Sequence, residues 1–173
     1  QEVHVTYKGD VADLGTKFIT QALLKGVLTP VLSDEVNLVN ALVLAKDRGI
    51  RITESTTKDS EDYQSLIELK TVREGMPYTL AGTILGKVHP LLVRVDEYRI
   101  EASPSRYMLF FKNKDKPGVV GKVGTILGRH NAYIANIHLS RVGSEGTAIA
   151  IVNVDSEVPQ AALEELRRLE EMI

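Results

Sequence analysis

From Tyr107 onward the hydrophobic pattern switches from strand period to helix period, back, and to helix period again; no other feature constrains the fold as much. Met108 to Lys112 reads as a short strand, and Asn113-Lys114-Asp115-Lys116-Pro117-Gly118 as a turn. Val119, Val120, Val123, Ile126 and Leu127 then form one helical face up to His130. Tyr133 to Val142 and Thr147 to Val154 are β-rich, with Gly143-Ser144-Glu145-Gly146 between them as a hairpin turn. Pro159 suits the first turn of a final helix striped by Leu163, Leu166 and Leu169. Strand, helix, strand, strand, helix is the order of a ferredoxin-like βαββαβ unit whose closing strand is not readable before Ile173.

The upstream part reads as a second, mixed α/β unit. Val3, Val5 and Tyr7 alternate with polar residues as a half-buried strand ended by Lys8-Gly9-Asp10. A helix follows from Thr16 to Leu32, with Phe18, Ile19, Ala22, Leu23 and Val27 at helical spacing and Pro30 stopping or kinking it. Ser33 is a good N-cap for the next helix, with Asp34 and Glu35 in its first turn. That helix carries Val36, Val39, Leu42 and Val43 inward and ends at Arg48-Gly49. Ile50-Arg51-Ile52 reads as a strand and Thr53 to Asp62 as a loop. Ile67, Leu69 and Thr71 alternate, and Tyr78–Leu85 and Leu91–Val95 are spaced as a hairpin. The α/β (α+β) chain therefore divides into a first domain over 1–101, a linker over 102–106 at Ala102-Ser103-Pro104-Ser105, and a second domain over 107–173.

Composition narrows the function classes. The 173 residues suffice to bury a core without staples. Lys and Arg number 21 against 23 Asp and Glu, which argues against a nucleic-acid binder. The absence of cysteine excludes disulfides, thiol catalysis and Cys-ligated metals. Gln-Glu-Val-His-Val lacks the basic start of a signal peptide, and no apolar run reaches the roughly 20 residues that span a bilayer. These features point to a soluble, cytoplasmic chain.

The strongest local chemistry lies at Asp115-Lys116-Pro117-Gly118. This turn feeds a helix N-terminus, where unpaired amides and the helix dipole favour an anion. A free amino acid needs one site for its carboxylate and another for its ammonium. Amides near Gly118 suit the first and the Asp115 carboxylate suits the second. The same residues also suit a plain helix start, with Asp115 as cap. Gly121, Gly124 and Gly128 do not follow the dinucleotide spacing, and close packing of their helix on a sheet accounts for them. His4, His89, His130 and His138 show no metal-ligand spacing, and no catalytic triad or carboxylate pair stands out. His138 and Asn136 share a strand face that lines a polar site or meets water.

Three stretches resemble the C-terminal, non-catalytic part of long-form D-3-phosphoglycerate dehydrogenases. They are Val36–Ala41 running to Ala45–Ile50, Ala81–Gly86 with Val93–Arg99, and Asn113–Gly128. The resemblance implies an intervening, allosteric-substrate-binding domain followed by an ACT domain, here apparently without its last strand. It implies no catalytic residue and no cofactor in this segment; in the longer enzyme, NAD serves oxidation of 3-phosphoglycerate on the way to L-serine. It also implies a small effector such as L-serine bound between paired subunits, absent catalytic domains as partners, and a homo-oligomer. By resemblance the effector site comprises Asn113, Asp115, Gly118, Tyr133 and Asn136. Tyr133 stands where the family has an asparagine, and a phenol does not reproduce an amide's paired donor and acceptor. Asn131 or Asn136 compensates, or the site is empty. Two alternatives remain: an effector-independent assembly module, and the small chain of an iron-sulfur L-serine dehydratase whose cluster ligands come from a partner.

Overall fold

The computed structural model describes residues 2–32, 36–73, 75–142 and 146–173, which form two compact units, Gln1–Val88 and His89–Ile173. The expected N-cap at Ser33 with Asp34 and Glu35, and the expected turn at Gly143-Ser144-Glu145, lie outside the described residues.

In the first unit, strand β1 (Glu2–Gly9) alternates as its sequence demands, with Val3, Val5 and Tyr7 buried on one face. Helices α1 (Lys17–Leu32) and α2 (Ala41–Asp47) cover that face. Strands β2 (Arg51–Thr57), β3 (Ser65–Arg73) and β4 (Met76–Leu85) complete the order β2-β1-β3-β4, with β2 parallel to β1 and β3 antiparallel to both β1 and β4.

Several expectations change here. The buried stripe of α1 is Thr20, Leu24 and Leu28, while Phe18 and Val27 face outward. A threonine belongs in this core because its hydroxyl is fully used. The Tyr7 hydroxyl lies 2.6 Å from Thr20 Oγ1, which donates to Glu54 Oε1 at 2.5 Å. Pro30 does not stop α1, which runs two residues further; its missing N–H removes only one late bond. In the stretch expected as the next helix Val36, Ala41 and Ala45 are buried, whereas Val39 and Val43 are exposed. The cause is a side-chain-locked turn. Asn37 Oδ1 accepts from the amides of Val39 and Asn40, so the helix starts at Ala41. Its end is as expected: Ile50 N bonds Ala45 O, Gly49 N bonds Lys46 O, and Gly49 takes the left-handed φ of 67°. The stretch from Thr53 to Thr57 is strand rather than loop, because it pairs with β1 and its hydroxyls meet His4.

The second unit begins with the antiparallel pair β5 (His89–Val95) and β6 (Tyr98–Ala102). Strand β7 (Tyr107–Lys114), helix α3 (Val119–Arg129), strands β8 (Ile134–Arg141) and β9 (Thr147–Val154), and helix α4 (Gln160–Arg167) follow. The sheet order β7-β9-β8, all neighbours antiparallel, is the ferredoxin-like arrangement. Helices α3 and α4 cover one face through Val119, Val123, Ile126, Leu127, Ala162 and Leu166. Tyr98, Ile100 and Ala102 of β6 pack on the other face, against Ile149 and Ile151. Asn153 Nδ2 donates to Ser103 O at 2.8 Å and Ser105 Oγ at 3.0 Å, pinning the Ala102–Arg106 connection to the sheet. Near the chain end an isolated bridge lies against β7. Met172 bridges Asn113 in antiparallel register, Lys114 N bonds Glu171 O, and Ile173 N bonds Lys112 O.

Gly121, Gly124 and Gly128 are not explained by packing on the sheet, since a Cβ at any of them meets nothing within 4 Å. Alanine is the better helix former, so Gly124→Ala is expected to stabilise the isolated chain by about 0.5–1 kcal/mol in urea unfolding. Buried Glu68 faces Lys70 at 3.0 Å and Lys8 at 3.5 Å. Burial alone pushes its carboxyl up; the Lys70 hydrogen bond and the charges of Lys8 and Lys70 outweigh burial and hold it below the ordinary glutamate value. A depressed native value means the contribution is present above the unfolded pKa, about 4.3, and is lost as pH falls through the native one. Glu68→Gln is therefore expected to lower stability at pH 7 and to flatten the acid limb of a thermal-melt pH series.

Candidate functional site

The site grows from the end of β7. Asn113, expected in a turn, is the penultimate strand residue and is only 4% exposed. It stands opposite Ala148 of β9, which stands opposite Arg141 of β8. One row further in, Phe111, Ala150 and Leu139 align the same way. The central strand thus places small alanines between larger side chains, leaving a hollow under the start of α3. Its volume is about 440 Å³, with Phe111, Val119, Val120 and Leu139 as apolar walls.

Its polar groups are held from several directions. Asp115 N bonds Gly146 O at 3.0 Å, which carries the β7–β9 pairing past the end of the strand. Gly118 then takes φ 89°, a left-handed value that favours glycine, and α3 begins at Val119 with no side-chain cap. Asp115 is therefore not the helix cap; that alternative falls away. Gly118, Val119 and Val120 line the hollow at the start of α3, the positive end of the helix dipole, where an anion is favoured. Val119 N makes only a 3.5 Å contact to Lys116 O. Asn113 Nδ2 donates to Lys114 O at 2.7 Å, but its buried Oδ1 has no partner. Arg141 Nε lies 3.4 Å from Asp115 Oδ2. Nearby, a 2.6 Å hydrogen bond from Lys122 holds the Glu171 carboxyl below the usual glutamate range, with the charge of Lys116 assisting.

Of the residues expected at an effector site, Asn113, Asp115 and Gly118 meet in this hollow, whereas Tyr133 and Asn136 do not. Tyr133 precedes β8, is 74% exposed, and its carbonyl accepts from Asp155 N. Asn136 faces Asn153, five residues along β8 from Arg141, about 17 Å at the rise of an antiparallel strand. His138 lies half-buried beside Ile151 and does not line the hollow. Arg141 and Ala148 are the contributors that sequence reasoning missed. The alternation of β8 puts Arg141 on the face of Leu139, but only the register across β9 brings it opposite Asn113. Among the described residues no group of three or more His, Asp or Glu side chains is arranged to hold a metal ion. No helix among them is long and apolar enough to cross a membrane.

This architecture has close counterparts. Residues 1–96 match the family model of the D-3-phosphoglycerate dehydrogenase intervening domain, and residues 107–171 match that of the ACT domain. The D-3-phosphoglycerate dehydrogenase of Archaeoglobus fulgidus is 38% identical over 175 residues, covering 100% of this chain and 33% of that protein. The enzyme of the same name from Synechocystis is 33% identical, covering 95% of this chain and 30% of that protein. That of Bacillus subtilis is 31% identical, covering 100% and 33%. The chain spans about a third of the length of these relatives and matches their C-terminal region. With an intervening domain followed by an ACT domain, the chain belongs to the D-3-phosphoglycerate dehydrogenase family.

Proposed function

We propose that the chain is the effector-binding and assembly portion of a cytoplasmic D-3-phosphoglycerate dehydrogenase, and that the hollow between β7 and α3 takes a small amino acid such as L-serine. Oxidation of 3-phosphoglycerate with NAD belongs, in this reading, to catalytic domains beyond this segment. In this reading the chain divides into an intervening domain over 1–101, a connection over 102–106 and an ACT domain over 107–173. The carrying observation is the unpartnered, buried Oδ1 of Asn113 beside an uncapped helix start. An unmatched buried acceptor costs about 1–3 kcal/mol, a cost that a ligand donor there recovers. The ligand ammonium meets Asn113 Oδ1 and the Asp115 carboxylate, and the ligand carboxylate faces the α3 amides.

A second copy brings Tyr133 towards the hollow. Strand β8 has no strand partner on its outer side among the described residues, and an open edge invites pairing. Antiparallel β8–β8 pairing about a two-fold axis brings the start of one copy's β8, next to Tyr133, towards the Arg141 end of the other's, while Asn136, on the face opposite Leu139 and Arg141, stays outside the hollow.

Calorimetric titration with L-serine tests the reading. Heat is expected for the native sequence at millimolar serine, and Asp115→Ala is expected to weaken binding at least about tenfold, the loss of a charge-assisted hydrogen bond. No heat and no thermal shift with the native sequence removes serine from the proposal. Ala148→Leu, which fills the floor of the hollow, is expected to abolish the serine-induced thermal shift. The size of the particle in sedimentation is expected to stay that of at least a pair, with or without serine.

A further inference from the structure

Resting on the reading of the hollow as an amino-acid site, we propose that Arg141 is its specificity-determining residue: it recognises the ligand's carboxylate after giving up Asp115 to the ligand's ammonium. Two of the polar side chains in the hollow, Asn113 through Oδ1 and Asp115, present acceptors and can engage only a donor. The remaining donors are the α3 amides, Lys116 and Arg141. Lys116 lines the hollow from the loop that follows β7, outside the paired rows of the sheet. Arg141 is placed differently. It occupies the row Asn113–Ala148–Arg141, with the short Ala148 leaving open space between the two polar residues.

Its present engagement is weak. Nε stands 3.4 Å from Asp115 Oδ2, and the Arg141 side chain is 69% exposed. Exposed pairs of this kind add little to stability, so exchanging this one is easy. When a zwitterion enters, one ion pair within the protein becomes two ion pairs to the ligand. The ammonium goes to Asp115, and the carboxylate meets the planar guanidinium fork, which binds carboxylates through two parallel hydrogen bonds. A ligand with an ammonium but no acid group displaces Arg141 without giving it a new partner. The arrangement therefore selects an α-amino acid over the corresponding amine.

The test is a two-ligand calorimetric comparison on the full chain. L-serine is set against serinol, in which a hydroxymethyl group replaces the carboxylate, with the native sequence, Arg141→Gln and Arg141→Lys. The native sequence is expected to prefer serine. Arg141→Gln is expected to lose about 10- to 100-fold in serine affinity while serinol changes less than about twofold. Arg141→Lys, which keeps the charge without the fork, is expected to fall between. The melting temperature of Arg141→Gln without ligand should match the native one, since the side chain is exposed. Equal loss for both ligands, or unchanged serine affinity, overturns the role of Arg141 and leaves the amino-acid site standing. Absence of binding by the native sequence overturns both.

Discussion

The second unit depends on one strand being buried on both sides. Every residue of β9 from Ala148 to Val154 is shielded from solvent, and none is charged. Such a strand serves two layers at once, and its alternation divides the duties. Val152 and Val154 join the helical core, while Ile149 and Ile151 receive β6. The residues between, Ala148 and Ala150, fall on the helical side where α3 begins, and their small size is why the sheet there is hollow rather than filled. The pocket is a consequence of where the central strand turns from valine to alanine.

The two units treat buried polar groups in opposite ways. In the first, the Tyr7 hydroxyl, Thr20 and Glu54 form a closed relay in which each buried hydroxyl has a partner. Burial leads, with the Glu54 charge adding, in raising the Tyr7 hydroxyl's pKa despite its bond to Thr20, so the phenol stays neutral and bonded. That network ties α1 to the sheet. At the hollow the opposite holds: a buried amide oxygen without a partner, a helix start without a cap, and a loosely held Arg–Asp pair. Asn153 Oδ1 and His138 Nε2 are also unpartnered, so the hollow is set apart by the combination of such an oxygen with an open helix start and an exposed ion pair.

Much of this was legible in the sequence, and the failures have physical causes. The alternation of Val3, Val5 and Tyr7, the face of Val119, Val123, Ile126 and Leu127, and the helix stop at Gly49 depend on local periodicity and backbone preference, which a sequence displays directly. Asp115-Lys116-Pro117-Gly118 was readable for the same reason. The inward face of α1 was not, because Thr20 owes its burial to Tyr7 and Glu54, on other strands. Nor was the phase of α2, which Asn37 sets by bonding its own neighbours. Arg141 and Ala148 join the site only through strand register, a pairing between segments that no local pattern encodes. Val120 shows the limit of a helical stripe: it belongs to the apolar face by spacing, yet at the first turn it lines the hollow rather than the core.

The bond between the Tyr98 hydroxyl and Thr147 Oγ1, 2.6 Å long, has a mechanical consequence. Thr147 adjoins Ala148, the floor of the hollow, and Tyr98 sits in β6 on the far side of the sheet. Floor and far side are therefore separated by a single peptide link and one hydrogen bond. Lys112, stacked on the Tyr98 ring from β7, braces the same spot. The sheet works here less as a wall than as a diaphragm, loaded from both sides at one residue. The floor of the hollow and the packing beneath it thus share one anchoring point, Thr147, rather than meeting through an intervening layer.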